Sequence, residues 1–408
     1  VFAAGLKAYG WAVGGLRGTG NIITFYSDPP YSGNAKVIYD YIRSNRLDSK
    51  HGLELVWISR SESANRIYEK LNIKYCYFKY GRAESLGCFQ KYVRSKVHVC
   101  DVPFVNPKYL YKNRGTLFLL TWHGIPFKKG LPWSRLFLDP LVDAALSTSE
   151  LSTVLLSQFI GVSPDKFRVT GYPRNDPLLA ADRGTARRRL SSVYGGGFER
   201  VILYLPTYRH TLISGTSSGV EGIAVDFLAN LDEEYLREID RLLAAHNTLL
   251  LVKYHYYDEL YYKNYARDKY RRILESQTGN IRLLDSEDLA ARGLHIYDIL
   301  PGTDMLVTDY SSIFYDYLLL DRPIVFYMYD VEEYYRRRGL IVEPWNVDRY
   351  VPGPVARTPR QLYNTLKDIL EGGDAYEQER ARMRDLIFTH KDSRSAERVW
   401  RNIISEAI

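Results

Sequence analysis

The stretch Asp304–Tyr329, DMLVTDYSSIFYDYLLLDRPIVFYMY, decides how the rest of the chain is read. Met305, Leu306 and Val307 make a short apolar strand, and the chain turns at Tyr310-Ser311-Ser312. Ile313, Phe314, Tyr317 and Leu318 then recur at helical spacing until Pro323 stops the helix before a second apolar strand. Two hydroxyls and several unpaired backbone N–H groups therefore meet at one helix N-terminus, an arrangement that suits a diphosphate. The alternative is that Ser311 or Ser312 is only an N-cap.

Upstream, from about Asn21, short apolar runs alternate with helical patterns: ITFYS, AKVIYDYIRSN, LELVWIS, SANRIYEKLN and KYCYF. The rhythm continues through KVHVC, GTLFLLTWHG, ALSTS, a helix from Glu150 to Ile160 and FRVTGYP, and it is that of βαβ units on a parallel sheet. SSVYGGG at 191–197 interrupts it, and RVILYLPTY, TLLLVKYH, NIRLLD, DMLVTD and PIVFYM restart it. The expected fold is α/β, with two Rossmann-like domains whose parallel sheets face a central cleft. An N-terminal domain is expected over 1–190, a second over 198–375, and a C-terminal helical segment over 376–408 packing back on the first. No fixed-period repeat is visible, which argues against a solenoid.

A chain of 408 residues exceeds what one core usually supports, which also favours two domains. Its 46% hydrophobic and 25% charged residues are those of an ordinary globular protein, with 35 tyrosines as the main bias. A formal charge of +7 and a pI near 9.0 point to an anionic partner: nucleotide, phosphopolymer or acidic membrane surface. The basic clusters Arg187–Arg189, Lys263–Arg272 and Arg336–Arg338 are short and mixed with tyrosines and acids, and they read as solvated helix faces. Cys76, Cys88 and Cys100 lack CxxC spacing, so neither a zinc site nor a disulfide framework is expected, and a reducing compartment fits. No apolar run is long enough to span a bilayer, and the first residues lack the plan of a signal peptide. The chain opens on Val1 rather than Met, which leaves an upstream segment open.

Ligands of open parallel sheets bind beyond the carboxyl ends of the strands, so polar residues just after apolar runs are the ones to collect. Four places qualify. After LFLLTW stand His123 and Gly124, then Pro126, Lys128 and Lys129; after VILYL stand Pro206, Thr207, Tyr208 and Arg209. After TLLLV stand Lys253 and His255, and the fourth place is the turn Asp309–Ser312. A histidine next to glycine at a strand end can serve as a general base, since its pKa is near neutral and glycine admits a substrate; a structural histidine bonding the loop is the alternative. In GYPRND, Arg174 could bind a phosphate, or brace its own loop through Asn175 and Asp176. No DxD-type carboxylate pair is placed for a metal, and a helix N-terminus can substitute for one, so neither metal nor cofactor is expected.

Taken together, TWHGIPFKK, GYPRND, YLPTYR, the KxH of VKYH, and DMLVTDYSSIFYDYLLLDRPIVFYMYDVEEY followed by YVPGP resemble the CDP-glycerol glycerophosphotransferases, the family of teichoic acid primases and polymerases. The likeness covers about 110–355 in the expected order, while the first hundred residues carry no matching motif. It implies a GT-B fold and transfer of a polyol phosphate from CDP-glycerol or CDP-ribitol to a hydroxyl of an undecaprenyl-type lipid-linked acceptor. The implied place is the cytoplasmic face of a bacterial membrane, held peripherally on anionic headgroups, with no nucleic acid partner. His123 matches the proposed base, His255 the histidine facing the donor pyrophosphate, and Ser311 and Ser312 the phosphate-binding turn, with Asp316 on the helix below. Gly124, Lys128, Arg174, Asn175, Asp176, Pro206, Thr207, Arg209, Lys253 and Asp309 complete the candidate set. The family often has KxHP where Tyr256 follows His255 here, a departure that could reshape the loop without removing the imidazole. Three alternatives share parts of this pattern: a GT-B glycosyltransferase using a nucleotide sugar, a nucleotide-sugar epimerase, and a non-catalytic module for anionic polymers.

Overall fold

A computed structural model describes residues 5, 10, 12, 18–79, 81–82, 85–130, 135–207, 232–254 and 279–408. The chain divides into two compact units, one of Val1–Ile125, Gly130–Ala180 and Ile387–Ile408, the other of Pro126–Lys129 and Ala181–Leu386.

In the first unit the apolar runs become strands β1 (Gly20–Tyr26), β2 (Glu54–Ser59), β3 (Tyr75–Tyr77), β4 (Ser95–Cys100), β5 (Leu117–Leu120), β6 (Ala144–Ser147) and β7 (Phe167–Val169). They form one seven-stranded sheet of order β3-β2-β1-β4-β5-β6-β7, and its ladders are parallel. Near-continuous burial along β2 and β4 matches a sheet covered on both faces. Helix α1 (Gly33–Ser44) buries Ala35, Ile38, Tyr39 and Ile42, an i, i+3, i+4, i+7 stripe. Helix α2 (Ser85–Val93) lies in the β3-to-β4 crossover, and its Cys88 is disulfide-bonded to Cys76 of β3. That bond corrects the cysteine expectation: spacing in the sequence does not show that the crossover folds back beside its own strand. Helix α3 (Glu150–Ile160) begins at a reciprocal capping box between Ser149 and Ser152 and ends at Gly161, whose φ of 70° suits glycine.

The second unit repeats the plan with β8 (Arg200–Leu205), β9 (Thr248–Val252), β10 (Ile281–Leu283), β11 (Met305–Thr308), β12 (Ile324–Tyr327) and β13 (Val355–Ala356), in the order β10-β9-β8-β11-β12-β13. These ladders are parallel as well. One face is covered by helices α5 (Glu233–Ala245) and α8 (Pro359–Leu370), whose leucines and isoleucines share a core with Ile202, Tyr204, Leu250, Val307 and Val325. The unit also carries α4 (Arg183–Tyr194) before β8, α6 (Ile313–Tyr317) after β11 and α7 (Val331–Arg338) after β12. Where the helical spacing suggests one segment from Glu377 to Ile408, the chain forms α9 (Glu377–Ile387), breaks over Phe388–Arg394, and resumes as α10 (Ser395–Val399). The break follows from competing bonds in the first unit, where the Thr389 N–H donates to Thr148 O and His390 meets Val169 O. Among the described residues no helix is long and apolar enough to cross a membrane.

Candidate functional site

Both sheets reverse their strand order between the first and fourth strands, the switch point at which ligands of open parallel sheets bind. In the second unit this falls between β8 and β11, and the sequence-derived residues Pro206, Thr207 and Asp309–Ser312 stand at those two strand ends. Asp309 has no exposed surface, and its carboxylate accepts the Thr207 N–H (2.8 Å to Oδ1, 3.1 Å to Oδ2) and the Tyr310 N–H (2.6 Å). It fastens the two loops of the crevice to each other. Tyr310 stacks on Tyr334 of α7 with ring centroids 4.0 Å apart and donates its hydroxyl to Asp330 (2.9 Å), which holds the turn from behind.

Ser311 and Ser312 are half-exposed. Ser312 occupies the N-cap position of α6 with helical backbone angles (φ −63°, ψ −9°), and its side chain caps no helix N–H. The simple N-cap reading is therefore not realised by Ser312. Asp316 is fully buried on α6 and accepts the Tyr297 hydroxyl at 2.6 Å. Lys253, after β9, donates to Ser286 Oγ (2.7 Å) and Tyr254 O (3.0 Å). His255, Tyr208 and Arg209 lie outside the described residues.

Lys128 belongs to the second unit although the chain reaches it from β5 of the first. Pro126–Lys129 is held there by an antiparallel bridge between Lys128 and Leu340 and by bonds from Lys129 N–H to Gly339 O (3.1 Å), Ile341 N–H to Phe127 O (3.2 Å) and Arg338 Nη1 to Lys129 O (2.8 Å). Phe127 meets Phe314 of α6 edge to face at 5.6 Å, and Lys128 Nζ lies 6.0 Å from the ring centre of Tyr334, the ring that stacks on Tyr310. Lys128 thus comes to the neighbourhood of the two-serine turn, a placement that its position in the sequence does not show.

In the first unit His123 follows β5 and is exposed, with its ring 4.2 Å from that of Trp122. Trp122 has φ 54° and Gly124 φ 148°, so the histidine sits between two residues in backbone regions that side chains rarely adopt. Arg174, Asn175 and Asp176 are buried. Arg174 donates from Nη1 to His123 O and lays its guanidinium over Tyr172, 5.1 Å from the ring centre. Asp176 accepts the N–H groups of Ser395 (2.9 Å) and Ala396 (2.8 Å), so it caps α10; burial raises its pKa against the pull of those bonds. Two residues outside the sequence-derived set share the His123 network, Asn34 and Asp101. Asp101 accepts Thr121 Oγ1 and the Ala35 N–H (3.1 Å), and burial pushes its pKa up to about 7. It stands directly after the apolar run KVHVC, so the strand-end rule that gathered the others would also have found it. Among the described residues no group of three His, Cys, Asp or Glu is arranged to hold a metal ion.

The family model of the CDP-Glycerol:Poly(glycerophosphate) glycerophosphotransferases matches residues 16–405. The chain belongs to that family of transferases. It is 26% identical over 411 residues to the teichoic acid glycerol-phosphate transferase of Staphylococcus aureus, spanning 94% of this chain and 92% of that one. It is 27% identical to the teichoic acid ribitol-phosphate polymerase TarL of the same organism, over 94% of this chain but only 62% of that longer one. The wall teichoic acid polymerase TagF superposes with a TM-score of 0.74 at 19% identity, covering 99% of this chain and 94% of the compared one, and a TagF variant soaked with CDPG gives 0.69. The fold is that of TagF, α/β of the GT-B class, as the motifs implied.

Proposed function

We propose that this enzyme transfers a polyol phosphate, glycerol phosphate in the first instance, from a CDP-activated donor to a hydroxyl of a lipid-linked acceptor and releases CMP. The reading rests on one observation above the others: the Ser311-Ser312 turn stands at the β8/β11 switch point, with its backbone fixed by Asp309 and the Ser312 hydroxyl not spent on capping. The donor named for the family carries a diphosphate, the group such a turn accommodates.

The acceptor O–H gives its proton to the His123 imidazole, and the oxygen attacks the β-phosphorus of the donor. A new P–O bond forms as the bond to the CMP phosphate breaks, and CMP leaves with the electron pair. In such in-line transfers the protein contributes positioning and charge stabilisation. Ser311, Ser312, the N–H groups of their turn and the Lys128 ammonium offset charge on the leaving phosphate, with His255 assigned to the donor pyrophosphate by resemblance and Arg209 and Lys253 as auxiliaries. Attachment to the membrane is peripheral, through the basic surface of a chain of net charge +7.

The test is CMP release from CDP-glycerol and CDP-ribitol, each with and without a lipid-linked disaccharide. Acceptor-dependent release that falls about 10²- to 10⁴-fold in His123→Ala is the expected result for loss of a general base. A variant that weakens donor affinity alone would remove His123 from that role. Turnover of a nucleotide sugar in place of both CDP-polyols would favour the glycosyltransferase, and turnover of a donor without any acceptor the epimerase.

A further inference from the structure

We infer that Asn34 is a positioning residue for the His123 loop, an inference that rests on the reading of His123 as the base. Asn34 is the second residue of α1 and has no exposed surface. Its Nδ2 donates to two consecutive carbonyls at the end of β5, Thr121 O (3.1 Å) and Trp122 O (2.8 Å), while its Oδ1 accepts the Arg174 N–H at 3.0 Å. Arg174 then returns from the loop after β7 to bond the carbonyl of His123 itself. One buried amide thus holds the two backbone groups preceding His123 and the residue that holds the third.

The chemistry of the amide explains why asparagine occupies this place. Two carbonyl acceptors and one N–H donor must be satisfied away from water, and a primary amide presents two donors and one acceptor oxygen on a short, stiff stem. An aspartate of the same shape would turn an oxygen toward two carbonyls. The approach of α1 is fixed by the neighbouring residues: Asp101 accepts the Ala35 N–H and the Thr121 hydroxyl, and Gly33, at φ 66°, has no Cβ to collide with the Asp101 carboxylate. Trp122 is kept at φ 54°, a backbone region that persists only where the surroundings over-determine it, and Asn34 bonds the carbonyl of that residue. The imidazole projects from a backbone restrained at 121, 122 and 123, while its side chain stays exposed.

The experiment compares wild type, Asn34→Ala and the isosteric Asn34→Asp by steady-state CMP release and by hydrogen–deuterium exchange of the peptide spanning Thr121–Ile125. The expected result for both variants is a kcat lower by about 10- to 100-fold, the scale of an ångström misplacement of a catalytic group, with the donor KM within about twofold of wild type. Exchange at Trp122–Ile125 rises while exchange in β8–β11 stays unchanged. Wild-type kcat together with unchanged exchange overturns the proposal. So does a loss that appears equally in donor KM and in exchange across β8–β11, since that marks a general loss of structure. If wild type itself releases no CMP from either donor, the proposed function fails, and the exchange arm still decides whether Asn34 holds this loop.

Discussion

Asp309 and Ser311 stand two residues apart and do different work. The Asp309 carboxylate receives two backbone N–H groups and has no exposed surface, whereas the serines of the turn are half-exposed. In Asp309→Asn one oxygen becomes an NH₂ group facing an N–H donor, so the fold should lose about 1–3 kcal/mol, read as a lower urea midpoint. The double change Ser311→Ala with Ser312→Ala should leave that midpoint in place and weaken CDP-glycerol binding about 10- to 100-fold, the loss expected for hydrogen bonds to a charged group; calorimetric titration checks it. The sequence makes both residues legible as strand-end polar groups, because apolar runs announce where strands finish. It does not say which side chains turn inward. Asp309, Asp316 and Asp176 carry the same letter as an exposed carboxylate, and only the packing shows that Thr207, Tyr297 and the start of α10 already engage them.

Helix α10 depends on a residue more than two hundred positions away. Its first N–H groups end on Asp176, and the chain leading to it is held by Thr148, which donates Oγ1 to Ile387 O (2.6 Å) and accepts the Thr389 N–H (2.9 Å). Asp176→Ala should therefore cost about 1–3 kcal/mol through two orphaned buried donors. Limited proteolysis should then cut first between Phe388 and Arg394, releasing a C-terminal fragment that the wild type retains. At this scale the strands were readable from apolar runs and the helices from their stripes, since burial on both faces of a parallel sheet leaves that signature. The break after Ile387, the short β13 and the Cys76–Cys88 bond are not, because each is settled by contacts with segments that are separate in sequence and meet only in three dimensions, which a local period does not encode.

Across the first unit, two buried groups titrate in opposite senses. Burial lowers His98 from 6.5 to about 3, where it packs 3.9 Å from the Tyr92 ring, and raises Asp101 from 3.8 to about 7. The unfolded chain protonates His98 more readily than the folded one, so its contribution is whole above pH 6.5 and is lost as pH falls toward 3. Asp101 has the reverse sign: its contribution is whole below pH 3.8 and is lost as pH rises through 7. Between these limits the two oppose each other, each by up to about 1.4 kcal/mol per pH unit. Chemical denaturation of wild type and His98→Gln from pH 4 to 6.5 should show the stability difference moving in favour of wild type as pH rises. A difference independent of pH would mean that His98 is protonated alike in both states.

The chain passes between its two units at 125/126, 129/130, 180/181 and 386/387. No single crossover in the gene can therefore exchange one unit for that of a relative. A hybrid joined at 180/181 would pair the second unit of one parent with the 126–129 segment of the other, setting a foreign Phe127 and Lys128 against Phe314 and Leu340. Grafting donor preference from one family member to another should succeed only when residues 126–129 travel with 181–386, as a mosaic of two inserts rather than a swap of halves.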